Sequence, residues 1–110
     1  MTIGEAVARF DAEWIAAQAT TPRYAYRRTL SLLALWLERS GRGSGDDLAS
    51  LSADDLGAVV AWHASSGLVD DADGSRKVAV HLARLGAFLA VAADRPDLAV
   101  DRDTLRARAV

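Results

Sequence analysis

Residues able to hold a phosphate gather in one short stretch, TTPRYAYRRTL, at positions 20–30. Three arginines and two tyrosines fall within six residues there: Arg23, Tyr24, Tyr26, Arg27 and Arg28. Guanidinium groups neutralise phosphates, and tyrosine hydroxyls add neutral hydrogen bonds. Because a helix advances about 100° per residue, Arg23 and Arg27 share one face and Arg28 lies further round. The stretch is therefore a candidate phosphate-binding site.

A second basic group follows at positions 75–84. Lys77, His81 and Arg84 align at helical spacings i, i+4 and i+7, and Arg76 is close to that line. Both basic groups fall in the N-terminal halves of predicted helices, where backbone N–H groups and the helix dipole favour a phosphate. The alternative remains open that these arginines are solvated surface charges or pair with nearby carboxylates.

The other residues with chemical potential are better explained by structure. The segment HLAR has an H-x-x-R spacing that a helix readily produces by chance, so we interpret His81 as a helix-flank or interface histidine. His63 lies on an apolar face and is predicted to be a hydrogen-bonded core histidine. The two histidines lack the spacing of a metal site. We therefore expect no catalytic residue, no metal and no cofactor.

Composition limits the class of protein. The chain has 110 residues, a net charge of −2 and no cysteine, which predicts one domain without disulfides or thiolate metal sites. A dedicated nucleic-acid binder is usually basic overall, so such a role must depend on a local patch. The sequence has neither a leader-like start nor an apolar run of about 20 residues, and we expect a cytoplasmic protein without membrane contact.

The elements that would position these residues are helical. A first helix is predicted from Ile3 to Gln18. A second has Thr20 or Thr21 as its candidate N-cap and Pro22 in its first turn, and it ends at SGRGSG, which is interpreted as a flexible linker. Its apolar stripe consists of Tyr26, Leu30, Leu33 and Leu37, widened by Leu32 and Trp36.

Two more helices and a short fifth complete the pattern. Ser52 and Asp55 predict a capping box at the start of the third helix, which Gly67 would end. Asp73 or Ser75 would cap the fourth, which runs to about Ala93. The inward residues are Leu56, Val59, Val60 and His63, then Val78, Leu82, Leu85 and Leu89. Because no strand alternation occurs, the predicted fold class is all-α.

The order of these motifs resembles the N-terminal core-binding domain of tyrosine recombinases and phage integrases. A Tyr-Arg-Arg-x-Leu helix ending in Trp-Leu is followed by a Leu-x-x-Leu-Ser-x-x-Asp segment and by a Ser-led helix before an Arg-Pro stop. The matching residues are Tyr26, Arg27, Arg28, Leu30, Leu33, Trp36 and Leu37, then Leu48, Leu51, Ser52, Asp55 and Leu56, then Ser75, Leu82, Leu85 and Phe88, and Arg95–Pro96.

That resemblance implies a SAM-like orthogonal bundle of four or five helices, with residues 1–98 as the core-binding domain and 99–110 as a tail or the start of a linker to an absent catalytic domain. It implies a clamp on double-stranded DNA in integration or recombination, with other recombinase subunits as further partners. The DNA contacts it implies are Arg23, Tyr26, Arg27, Ser75, Arg76, Lys77 and Arg84.

The chain also departs from the family pattern. An arginine is often found near the position of Gly86, and the net charge here is negative. Both tyrosines precede HLAR, so that segment is not the family's catalytic motif, and we expect no DNA cleavage by this chain alone. The competing hypothesis is a helical protein–protein interaction module. Its motivation is a second apolar face on the fourth helix, formed by Val80, Ala83, Ala87 and Val91.

Overall fold

This computed structural model describes residues 1–66 and 72–109, which contain five α-helices and three short 3₁₀ turns. The helices are α1 (Ile3–Glu13), α2 (Thr20–Arg39), α3 (Ala53–Ser65), α4 (Ala72–Ala92) and α5 (Arg102–Ala107). No strand occurs within these residues, and the predicted all-α class is confirmed. None of the described helices combines the length and apolar character needed to cross a membrane. The chain divides into two compact units, Met1–Leu51 and Ser52–Val110.

In the first unit, α1 begins at a capping box that the sequence analysis did not identify. The Thr2 hydroxyl accepts from the Glu5 N–H, and the Glu5 carboxylate accepts from the Thr2 N–H at 2.9 Å. The hydrogen bond from the Thr2 backbone N–H to the carboxylate, and secondarily one from the Thr2 side chain, lower the pKa of Glu5. The capping box therefore satisfies two backbone donors that a helix start leaves open.

The glycine-rich loop after α2 is anchored to the start of α1. Ser44 and Asp46 accept hydrogen bonds through their backbone carbonyls from the N–H groups of Gly4 and Ile3, at 2.8 and 2.9 Å. A bridge between Thr2 and Asp47 adds to this connection. The loop was predicted to be a flexible linker; instead it supplies acceptors to the first turn of α1.

Helix α1 ends at Glu13, five residues before the predicted Gln18. The chain passes through Trp14 into a 3₁₀ turn at Ile15–Ala17, and Ile15 is fully buried there. The Gln18 side-chain amide donates to the Trp14 carbonyl at 3.1 Å. A helix continued to Gln18 would place Ala17 on the same face as Phe10 and Trp14, whereas here Ala17 is exposed.

Helix α2 begins at Thr20 with Ala19 as its N-cap, so neither Thr20 nor Thr21 caps it as predicted, and no side chain makes a cap hydrogen bond. Its last residue, Arg39, directly precedes the predicted stop SGRGSG. The helix ends in a turn in which Gly41 takes a positive φ of 76° and Arg42 donates its N–H to the Leu37 carbonyl at 2.8 Å. This is the left-handed helix end that glycine favours. The buried residues of α2 are Thr29, Leu30, Leu33 and Leu37.

In the second unit, α3 begins at the predicted capping box. Ser52 and Asp55 exchange hydrogen bonds between side chain and backbone, at 2.8 and 3.2 Å. Every inward residue predicted for this helix is buried: Leu56, Val59, Val60 and His63. The predicted stop at Gly67 lies outside the described residues.

Helix α4 is the central element of the second unit and contacts α3, α5 and the 3₁₀ turn at Pro96–Leu98. It begins at Ala72, so Asp73 and Ser75 lie inside its first turns and do not cap it as predicted. Its predicted stripe of Val78, Leu82, Leu85 and Leu89 is buried.

Gly86 explains how the 3₁₀ turn packs on α4. A side chain at this position would collide with the Leu98 carbonyl oxygen, so only glycine permits this approach. Segment 99–109, assigned from sequence to a tail or linker, contains α5, which contacts both α3 and α4. Leu105 and Ala109 are buried, and this segment therefore contributes to the core of the second unit.

Candidate nucleic-acid interface

Three side chains of the first turns of α2 form a shallow recess with Arg27. The recess has a volume of about 150 Å³ and is lined by Thr20, Arg23, Tyr24 and Arg27. Arg23 donates through Nη2 to the Thr20 hydroxyl at 3.2 Å. Within the described residues Arg23 makes no ion pair with a carboxylate, so its positive charge is not locally compensated.

Arg27 is differently placed, because it is already paired. Its Nε and Nη2 donate to the two carboxylate oxygens of Asp11 on α1, at 3.1 and 2.9 Å. Hydrogen bonds to Asp11 and the charge of that carboxylate raise the pKa of Arg27. The pair connects α1 to α2, and a ligand of Arg27 would have to share it with Asp11.

Tyr26 was predicted to contact DNA, but its ring packs inside the first unit. The ring lies edge-on to Trp14 at a centroid distance of 4.8 Å and to Phe10 at 6.3 Å. Tyr24 is the tyrosine that faces solvent, since 73% of its surface is exposed. The Tyr-Arg-Arg pattern of the resemblance includes Tyr26 and not Tyr24. The apolar stripe of Tyr26, Leu30 and Leu33 indicates instead that Tyr26 faces inward, which favours Tyr24 as the surface residue.

Ser75 was also predicted to contact DNA, and its side chain is inaccessible. It is fully buried, and its hydroxyl lies 2.9 Å from Nδ1 of His63, which is also buried. The pair joins α3 to α4. The prediction that His63 is a hydrogen-bonded core histidine is confirmed, and Ser75 is its partner rather than a surface donor.

Three residues of the second basic group, Arg76, Lys77 and Arg84, are exposed on α4. Arg76 lies 3.4 Å from Asp73 in a solvent-exposed pair, and such pairs contribute little to stability. Lys77 makes no ion pair with any residue that the structure describes. Lys77 and Arg84, at i and i+7, are both exposed, and about 10 Å of helix axis separates them.

His81 lies between Lys77 and Arg84 in sequence but is half-buried. Burial, and secondarily the neighbouring Lys77 charge, lower the pKa of His81 to about 4. It is therefore neutral at pH 7 and adds no positive charge to this face of α4. Its interpretation as a flank histidine agrees with this position.

A groove lies between α4 and the start of α5. It has a volume of about 400 Å³, with an apolar floor and charges of both signs. The residues that line it are Val80, Ala83, Ala87 and Val100, with Arg84, Arg102, Asp101 and Asp103. Val91, further along α4, is 87% exposed. Along the second apolar face of α4, Ala87 and Val91 are thus exposed, whereas Val80 and Ala83 are partly buried.

Within the part of the chain that the structure describes, no group of three or more histidines and carboxylates is arranged to hold a metal ion. Comparison with known proteins gives no further assignment: no protein family, curated protein or solved structure matches the chain. The function must therefore be argued from the exposed basic residues and the groove.

Proposed function

We propose that this chain is a DNA-binding domain of the kind found in tyrosine recombinases, which holds duplex DNA through phosphate contacts during integration or recombination. It acts in the cytoplasm and contributes binding rather than catalysis. The observation that carries the proposal is the exposed basic face of α4, formed by Arg76, Lys77 and Arg84.

The charge of this face supports a phosphate ligand. Lys77 has no carboxylate partner in the described residues, and the contact of Arg76 with Asp73 is long and solvent-exposed. Cations without a close carboxylate partner can displace the counterions bound to a nucleic acid, and the release of those counterions favours binding. Arg23 on α2 has the same character, because its guanidinium donates to a neutral hydroxyl and pairs with no carboxylate in the described residues.

Three of the residues implied by the recombinase resemblance have a different place in this proposal. Ser75 and Tyr26 drop out as direct contacts because their side chains are engaged inside their units. Arg27 becomes a secondary contact because Asp11 already occupies two of its donors. The contacts retained are Arg23, Arg76, Lys77 and Arg84.

The test is the salt dependence of DNA binding, measured by fluorescence anisotropy with a short labelled duplex. About four phosphate contacts predict a slope near −3 to −4 for log K against log salt. The double variant Lys77→Ala/Arg84→Ala should reduce that slope by about two, equally for unrelated sequences, because phosphate contacts carry no sequence information.

A matched control removes the same amount of charge elsewhere. Arg9 is exposed and Arg106 is partly exposed, and they lie near Glu13 and Asp103, respectively. The variant Arg9→Ala/Arg106→Ala should leave the slope unchanged. The proposal is wrong if the wild-type chain shows no binding at about 20 mM salt. It is also wrong if the two double variants reduce the magnitude of the salt slope equally.

The open groove of α4 supports a second candidate, a protein–protein interaction module that binds another copy of this chain. Its floor is apolar, and its rim carries Arg84 and Arg102 together with Asp101 and Asp103, which allows a self-complementary contact. Sedimentation equilibrium should then show concentration-dependent association that Val91→Lys weakens. A monomer at all concentrations would exclude this candidate and leave the DNA proposal intact.

A further inference from the structure

We propose that the recess lined by Thr20, Arg23, Tyr24 and Arg27 binds a phosphate group, with the Tyr24 hydroxyl as one of its donors. The sequence places Tyr24 within the candidate phosphate-binding stretch, but the DNA contacts that the recombinase resemblance implies include Tyr26 and not Tyr24. The inference rests on the proposed function only for the source of the phosphate, which under that function is the DNA backbone. The recess itself is tested with inorganic phosphate.

The position of Tyr24 supports a role at the surface. Its side chain is 73% exposed, and its hydroxyl has no hydrogen-bond partner among the described residues. Its neighbour Tyr26 has the opposite environment, with its ring against Trp14 and Phe10. The two tyrosines are two residues apart on a helix, so they point to different sides.

The charges around the recess select an anion. Arg23 contributes a positive charge without a carboxylate partner in the described residues, and its guanidinium donates to the Thr20 hydroxyl at 3.2 Å. Arg27 and Asp11 are mutually neutralised through two hydrogen bonds of 3.1 and 2.9 Å. The net charge around the recess is therefore positive, and Asp11 competes with a bound anion for the Arg27 guanidinium.

The donors fit a tetrahedral oxyanion such as phosphate better than they fit a planar carboxylate or an apolar ligand. A guanidinium presents several N–H groups in a planar fork, while the Thr20 and Tyr24 hydroxyls add single donors from other directions. A tetrahedral phosphate has acceptor oxygens in several directions, and a recess of about 150 Å³ has room for it. Planar carboxylates are served well by a guanidinium alone.

The first experiment measures phosphate binding by NMR. Inorganic phosphate is titrated into the full chain, with chloride at matched ionic strength, and the Arg23 Nε–H and Tyr24 ring signals are followed. We expect saturable shifts at these residues, which Arg23→Ala abolishes and Tyr24→Phe weakens about 3- to 10-fold, the loss of one hydrogen bond. An absence of specific shifts in the wild-type chain would overturn the proposal.

The second experiment compares two variants that each lose one phenolic oxygen. Tyr24→Phe should weaken binding of a labelled duplex about 3- to 10-fold without changing the salt slope, because the lost donor is neutral. Tyr26→Phe should leave affinity unchanged once the variant is shown to be folded. Equal affinity of Tyr24→Phe and the wild type would remove Tyr24 from the DNA contact.

The outcomes separate the two proposals. If phosphate binds in the recess but the wild-type chain does not bind duplex DNA, the recess stands as an oxyanion site and the proposed function fails. If duplex DNA binds with the expected salt slope but phosphate does not perturb Arg23 or Tyr24, the proposed function stands and the recess proposal fails.

Discussion

Adding a single methyl group at Gly86 should have a large effect on the stability of the folded chain. The Leu98 carbonyl oxygen occupies the space that a Cβ would need, and it belongs to the backbone of the 3₁₀ turn. Backbone cannot move aside without shifting that turn away from α4. An arginine, which the recombinase resemblance places near this position, would not fit.

We expect Gly86→Ala to lower the free energy of unfolding by about 1–3 kcal/mol, because forcing extra volume into a packed contact outweighs the gain in helix propensity. Gly57→Ala is the matched control. It is also a buried helical glycine, but its Cβ would meet the end of the Arg108 side chain, at 2.6 Å, which can move. Urea denaturation should show Gly57→Ala at wild-type stability or up to about 1 kcal/mol above it. Equal loss in both variants would contradict the argument.

The recess shows at the residue scale what the sequence could and could not predict. Arginines at 23 and 27 on one helix face followed from periodicity, and the structure confirms that both line the recess. The pairing of Arg27 with Asp11 could not be predicted, because the two residues lie 16 positions apart and meet only through the packing of α1 on α2. The choice between the tyrosines was predictable, since Tyr26 belongs to the apolar stripe.

At the scale of elements, local signals predicted the helices better than their ends. The capping box at Ser52 and the stop at Gly41 are encoded by neighbouring residues, and both fall where expected. The end of α1 depends on the burial of Ile15, and the environment of Ser75 depends on His63 across the helix pair. These are tertiary contacts, which a local pattern does not contain.

The end of α4 offers a stabilising substitution. Asp94 has a φ of 52°, a left-handed conformation in which most side chains are strained. It also places a negative charge beside the C-terminus of the helix, which the helix dipole disfavours. We expect Asp94→Gly to raise the free energy of unfolding by about 0.5–1 kcal/mol, measured by thermal denaturation.

The control for that substitution is an aspartate at the other end of a helix. Asp101 accepts from the N–H groups of Asp103 and Thr104 at the start of α5, at 3.1 and 3.3 Å. Asp101→Ala should therefore lower stability by about 1 kcal/mol, the usual loss for a helix cap. A loss of stability in Asp94→Gly would show that its carboxylate makes a contribution that outweighs the backbone strain.

For the molecule as a whole, the net charge of −2 bears on the proposed binding of DNA. With no long-range attraction, binding of the proposed kind would depend on contacts within about a Debye length, roughly 10 Å at 0.1 M salt. Exposed cations on α2 and α4 can act over that distance, whereas distant carboxylates are screened. Affinity should consequently be modest and confined to low salt.

The stability of the whole chain should also depend on pH through His81. Its pKa in the folded chain is about 4, below the usual value of 6.5, so the unfolded chain binds a proton first as the pH falls. The loss of folding free energy that results is absent above pH 6.5, grows as the pH falls toward 4, and levels off below pH 4. The lowered pKa values of Glu5 and Asp97 act at more acidic pH, because their stabilisation is lost only as these carboxylates protonate.

Replacing His81 with glutamine should therefore flatten the pH dependence of stability between 6.5 and 4. We expect the wild-type free energy of unfolding to fall by on the order of 1 kcal/mol over this range, since partial exposure screens the effect. Urea denaturation at several pH values measures this directly. His81→Gln should keep the decline at lower pH that arises from the carboxylates. If both proteins lose stability equally between pH 6.5 and 4, burial of neutral His81 is not the cause, and another group titrates in that range.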